Sequence, residues 1–165
     1  MTTEDTDTDQ RWYGRRIGKP LRKNRKRLIE DLLPKLRIEP DPTTFPADLN
    51  LLFPNAVKAV WLEIGFGGGE HLAAQAEQHP EIGFIGCEPF INGVASLLKH
   101  IDEKKLTNIR IYDDDVRHLF DLMADQCLDR VFILFPDPWP KSRHHRRRIV
   151  KPETLVEYAR LLKDT

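Results

Sequence analysis

Cysteine is scarce in this chain of 165 residues: Cys87 and Cys127 are the only two. Forty residues apart, they offer neither a disulfide framework nor a metal-ligand spacing, and they read as buried free thiols in a reducing cytosol. Long apolar runs are missing too. No stretch approaches the ~18 consecutive apolar residues of a membrane helix, so no bilayer span is expected. The amino-terminal MTTEDTDTDQ is acidic and polar and has no apolar segment of the kind a secretory signal needs, so a cytoplasmic protein is expected. Histidines 71, 79, 100 and 118 fall at no ligand spacing, and no Ser/His/Asp or Cys/His arrangement is suggested. No metal site is therefore expected. Net charge is absent as well, with 26 Lys and Arg against 26 Asp and Glu.

That neutrality hides a pattern. Residues 11–37 hold eleven basic side chains against Glu30 and Asp31, and residues 141–151 hold six more and no acid. A neutral chain with two concentrated basic segments is suited to touching a polyanion at chosen places. Hydrophobic residues at 40% supply a core for one domain, which at this length buries ~70% of its unfolded surface. The sequence does not give the oligomeric state, and a monomer is favoured.

Along the chain, residues 1–10 read as a disordered acidic tail and 11–56 as a basic arm, a helix and a proline-rich connector. The helix is expected from about 21 to 33, ending near Pro34. Pro40, Pro42, Pro46 and Pro54 leave room for one short helical turn before residue 57. A regular alternation then begins. Strands are expected at 57–64, 82–87, 108–112 and 128–135, with helices at 70–78, 91–104, 116–124 and 152–163. Continuous apolar strands alternating with helices predict an α/β fold whose mostly parallel sheet is covered on both faces. Four such strands would leave a long edge open, so either the chain is incomplete or another segment covers that edge.

The first strand–helix turn reads Glu63-Ile64-Gly65-Phe66-Gly67-Gly68-Gly69-Glu70. Glycines let backbone pass close to a ligand, and the free amides of the following helix favour a negative or polar group. A dinucleotide fingerprint would need glycine where Glu70 stands, which disfavours a nicotinamide dehydrogenase. The remaining E-x-G-x-G-x-G resembles motif I of class I S-adenosylmethionine methyltransferases. Glu88 ends the second strand, where a carboxylate can accept both hydroxyls of a ribose. Asp113-Asp114-Asp115 end the third strand, where these enzymes hold the adenine amino group. Asp115 is favoured because it stands just before the helix, with helix capping the alternative role.

The fourth strand runs into Phe135-Pro136-Asp137-Pro138-Trp139-Pro140-Lys141. Each proline fixes its own φ and restricts its predecessor, so Asp137 is confined from both sides at the mouth of the cleft. This element, followed by Arg143-His144-His145-Arg146-Arg147-Arg148, is similar to the signature of bacterial tRNA (guanine-N7)-methyltransferases. L-E-I-G-F-G-x-G at 62–69 and Tyr13-Gly14-Arg15-Arg16 resemble that family too.

The resemblance covers residues 11–165 and implies a Rossmann-like class I fold, with 57–165 as the S-adenosylmethionine-binding domain. It implies methyl transfer to N7 of guanine 46 in the tRNA variable loop. By position, Glu63, Gly65, Gly67, Gly69, Glu88, Asp115 and Asp137 would form the cofactor site, and Asp137 would be catalytic. Lys141, Arg143, His144, His145, Arg146, Arg147 and Arg148 would bind substrate, and Trp139 or Phe66 could stack on an extruded base. Members of the family continue with a strand bearing T-D and a T-x-F/Y-E segment. Neither is present here, so the last strands of the sheet are expected to be missing. Two alternatives stay open: a class I methyltransferase for another base or a small molecule, and a non-catalytic RNA-binding module.

Overall fold

A computed structural model of the protein describes residues 14–164. The expected acidic tail at 1–10, and Arg11 and Tyr13 of the basic arm, lie outside the described residues. Four parallel strands form one sheet: β1 (Ala59–Ile64), β2 (Ile82–Cys87), β3 (Ile109–Tyr112) and β4 (Arg130–Ile133), in the order β3-β2-β1-β4. The helices are α1 (Lys23–Asp31), α2 (Leu33–Leu36), α3 (Glu70–Gln78), α4 (Ile91–Lys104), α5 (Arg117–Phe120) and α6 (Pro152–Leu161). Tight 3₁₀ turns occupy Leu49–Leu52 and Ser142–Arg147. No helix among the described residues is long and apolar enough to cross a membrane.

Alternating side chains divide the core between the two faces. Val60, Leu62 and Ile64 of β1 join Ile85 and Cys87 of β2 beneath Leu119, Tyr158 and Leu161. Ile82 and Phe84 face the other way, toward Leu72 of α3 and Val94, Leu97 and Leu98 of α4. Leu28, Leu33 and Leu36 join this second layer, so α1 and α2 are built into the body of the fold. A period of two along each strand makes both faces apolar, which is why these strands read as near-continuous hydrophobic runs.

Three elements depart from expectation. Pro34 does not close a helix begun near residue 21. α1 stops at Asp31, and Pro34 takes the second position of α2, where its missing N–H leaves no bond unmade. The helix expected over 116–124 is confined to α5, because Arg160 of α6 donates to the carbonyls of Phe120 (2.7 Å) and Met123 (3.0 Å). Those carbonyls would otherwise help carry the helix onward. β4 is shorter than 128–135: Leu128 pairs with Leu162 instead, and past Ile133 the chain enters the proline-rich loop.

The edges of the sheet are treated differently. Ile38 donates to the carbonyl of Ile111 at 2.8 Å, and Arg37 forks onto Asp113 at 2.9 and 2.7 Å, so the incoming chain seals β3. β4 is half-exposed along its length, and among the described residues only the Leu128–Leu162 bridge lies on its outer side.

Candidate active site

The strand order reverses between β1 and β4, and a parallel sheet opens a crevice at the carboxyl ends of strands at such a point. A cleft of about 460 Å³ lies there, walled by residues that follow all four strands: Gly65 after β1, Glu88 after β2, Asp115 after β3 and Asp137 after β4. Gly14 and Arg15 of the basic arm reach its rim.

The glycine turn reaches the cleft through Gly65. Gly65, Gly67 and Gly69 have φ of 70°, 58° and 79°, left-handed values that glycine adopts without steric cost. A side chain at Gly65 or Gly67 would meet no protein atom within 4 Å, so the turn keeps open space above its backbone. Gly67 and Gly69 do not themselves line the cleft. Gly67 donates its N–H to Glu88 at 3.1 Å, and Gly69 caps α3.

Gly93 stands on the first turn of α4, where the sequence pattern alone predicts only helix. A methyl group there would sit 2.2 Å from the carbonyl oxygen of Gly67. An isolated glycine inside a helical pattern is the signal that could have marked it. Gly93→Ala gains up to ~1 kcal/mol of helix propensity but forces α4 away from the turn. Backbone cannot yield as a flexible side chain does, and the expected net loss is about 1–2 kcal/mol. Thermal denaturation would register this as a midpoint lower by about 2–8 °C.

Glu88 is buried, and its two oxygens accept from the backbone N–H groups of Gly67 and Phe90, each at 3.1 Å. Burial pushes its carboxyl above the ordinary range. The two amides oppose that rise, and the charge of Asp137 across the cleft adds to it. Each carboxylate oxygen keeps a second lone pair, so a fixed, partly satisfied acceptor faces the cavity.

Asp115 is also buried, but its carboxylate already accepts from the backbone N–H and Nε of Arg117, both at 2.9 Å, and from Nη2. The bond to the N–H two residues on is a turn contact close to the capping alternative. Asp113 is tied to Arg37, and Asp114 to Arg16 at 2.8 Å.

Glu63 does not line the cleft. It shares a strand face with Trp61, where it is buried and meets His71 Nδ1 at 2.7 Å. Burial raises its carboxyl, and His71 pulls it back. His71 also stands edge-on to Phe132, so this histidine is a structural partner of the strand face. Phe66 packs against Leu72 in the core and presents no face for stacking.

Asp137 is exposed to the cavity and stands between two left-handed residues, Phe135 (φ 49°) and Trp139 (φ 39°). A non-glycine residue in this region costs on the order of 1–3 kcal/mol, and it persists only where its surroundings hold it. At Trp139 the holding groups come from the basic run. Arg148 donates through Nε to the Pro138 carbonyl (2.9 Å) and through Nη2 to that of Trp139 (3.2 Å). The Arg147 guanidinium lies 5.0 Å over the Trp139 ring, and His144 meets that ring edge-on. Lys141, Arg143, His145 and Arg146 are exposed. The segment is moored to α6 by Lys151 on the Arg146 carbonyl and by Thr154 and Tyr158 on that of Ile149. Among the described residues no cluster of His, Cys, Asp or Glu could hold a metal ion.

A family described as "Putative methyltransferase" matches residues 57–165. The tRNA (guanine-N(7)-)-methyltransferase of Paramagnetospirillum magneticum is 57% identical over 156 residues, which is 92% of this chain and 64% of that protein. The enzyme of the same name from Rhodospirillum rubrum is 50% identical, covering 98% of this chain and 64% of its own length. The Rhizobium meliloti enzyme is 45% identical over 98% of this chain and 69% of its own. The chain thus spans about two thirds of the length of these relatives. Among solved structures, an antibiotic-related methyltransferase matches with a TM-score of 0.50 at 21% identity, over 65% of this chain and 54% of that one. A 30S ribosomal A1408 methyltransferase from an uncultured bacterium also scores 0.50, at 20% identity, over 76% and 57%. These two share the Rossmann-like methyltransferase fold. The match over residues 57–165 and the identity to these relatives together show that the chain belongs to the tRNA (guanine-N7-)-methyltransferase family.

Proposed function

We propose that this chain forms the catalytic core of an enzyme that transfers the methyl group of S-adenosylmethionine to N7 of guanine 46 in the tRNA variable loop. The observation that carries this reading is the convergence of Gly65, Glu88, Asp115 and Asp137 on one cleft, with Asp137 at its mouth between the left-handed Phe135 and Trp139 and next to the Pro138 carbonyl that Arg148 holds. The cleft suits a nucleoside cofactor. Glu88 offers fixed acceptors for a ribose diol, and the open space over Gly65 and Gly67 admits a ligand close to the backbone.

S-adenosylmethionine supplies an electrophilic sulfonium methyl. The acceptor, guanine N7, has an in-plane lone pair and no proton to lose, so no general base is needed. The work of the chain is alignment and charge. Asp137 can accept from the N1–H and amino group of guanine, and its negative charge stabilises the purine as it becomes cationic. Phosphates would meet the exposed cations of α1 (Lys23, Lys26 and Arg27) together with Lys141, Arg143 and Arg146. Of the two aromatics considered for an extruded base, Trp139 is the one that lines the cleft.

The test is tritium transfer from S-adenosylmethionine to tRNA lacking N7-methylguanosine, with the full-length P. magneticum enzyme as positive control. Label released as N7-methylguanosine from position 46, and lost when guanine 46 is replaced by adenine, is the expected result. Label on another base would move the chain to a different substrate. Tight binding of S-adenosylhomocysteine with no transfer to any tRNA would make it a binding module.

A further inference from the structure

Resting on that reading, we propose that Arg148 is a positioning residue for methyl transfer: its guanidinium clasps the loop carbonyls beside Asp137 and so holds that carboxylate in place, instead of gripping RNA phosphate. The geometry is specific. Residues 136, 138 and 140 are prolines and donate no N–H, so the loop cannot brace itself with a backbone ladder. Two consecutive carbonyls, those of Pro138 and Trp139, immediately follow Asp137, and both accept from one planar group, from Nε at 2.9 Å and from Nη2 at 3.2 Å. A guanidinium presents two such donors in a fixed fork, whereas an ammonium is a point charge that cannot hold both in one geometry.

The backbone under Arg148 is itself fixed. Its N–H donates to the His145 carbonyl at 3.1 Å, and neighbouring Ile149 is held through its carbonyl by Thr154 and Tyr158 of α6. A path of hydrogen bonds therefore runs from α6 to the residue that follows Asp137. The left-handed Trp139 stands at its end, where a clasp is most needed. Arg148 is also half-buried, unlike Lys141, Arg143 and Arg146, as suits a group turned inward.

The experiment compares Arg148→Lys, Arg148→Ala and the unaltered chain in two ways. The first is limited trypsin digestion without any ligand, read at the Lys141–Ser142 and Arg143–His144 bonds. Loss of the clasp is expected to quicken cleavage there in both variants while the thermal midpoint stays close to that of the parent. Unchanged cleavage in both would overturn the clasp. The second is steady-state methyl transfer across a salt series. A positioning residue predicts kcat down by roughly 10²-fold in both variants, as for misplaced catalytic groups, with KM for tRNA and its salt slope nearly unchanged. A phosphate contact predicts the reverse: kcat kept, Arg148→Lys close to normal, and the salt slope of Arg148→Ala smaller by about 0.7–0.9. That second pattern would overturn the proposal. Failure of the unaltered chain to label any tRNA would remove the catalytic role along with the reading of the reaction, while the digestion still decides whether the clasp exists.

Discussion

Asp137→Ala is expected to lower methyl transfer to tRNA by about 10²–10³-fold, the usual cost of removing one preorganised charge aimed at a transition state. S-adenosylhomocysteine should bind the variant as well as the parent or slightly better. The sign follows from the electrostatics across the cleft: Asp137 adds to the upward push on the Glu88 carboxyl, so removing it makes Glu88 easier to ionise. Asp137→Asn keeps the shape of the side chain but replaces one acceptor with a donor that faces the donors of guanine. It should therefore be nearly as impaired as alanine, which separates a charge-and-acceptor role from one of bulk. Turnover near the parental level in either variant would sink the assignment of Asp137. The measurements are single-turnover tritium transfer for the chemistry and calorimetric titration for the cofactor product.

The second large effect belongs to Glu88. Glu88→Ala removes an acceptor pair held by two backbone amides, and hydrogen bonds to a charged group contribute about 1.5–3 kcal/mol. Cofactor affinity is expected to fall by roughly 100-fold, about 2.8 kcal/mol. The empty protein should lose little stability, since burial makes the ionised carboxylate costly and water in the cleft can reach the two amides. A pH signature accompanies this. The ionised form is the one that accepts both hydroxyls, and its folded pKa lies above the ordinary range. Affinity should therefore weaken as pH falls, beginning at a higher pH than for an exposed glutamate near ~4.3. In Glu88→Gln that dependence should flatten. A parental pH profile for binding that matches the Gln variant would exclude Glu88 as the group that titrates.

Much of the frame was legible in the sequence because its signals are local. α3, β2 and α4 fall on the residues expected for them, at Glu70–Gln78, Ile82–Cys87 and Ile91–Lys104. Gly69 starts one of these helices and apolar runs delimit the strand. The carboxylates at strand ends were readable for the same reason: a parallel sheet places every strand's carboxyl end on one side, so Glu88, Asp115 and Asp137 had to lie near one another.

Glu63 shows where that logic needed one more step. The alternation Val60, Leu62, Ile64 puts residue 63 on the opposite face with Trp61, away from the cleft, and period two was enough to see it. Arg148 was not legible in this way. A guanidinium in a basic run has the same composition whether it meets a phosphate or a carbonyl, and only the fold of the following segment onto α6 distinguishes them. The short α5 was hidden for a related reason, since the carbonyls that stop it are taken by an arginine some forty residues away.

The placement of α1 against α4 carries a consequence for how the chain comes into being. The apolar side of α1 is finished when Asp31 has been added, but its partner is not complete until Lys104, and the Ile38 bond to β3 needs Ile111. At about 5–20 residues per second, the ribosome leaves that helix without a seat for roughly 4–15 s. During this interval Leu28, Leu33 and Leu36 are borne by a segment crowded with lysine and arginine, whose mutual repulsion keeps nascent copies from associating through the same stripe. The positive charge of this segment would therefore act on the chain during synthesis, before the sheet and α4 exist to cover its leucines.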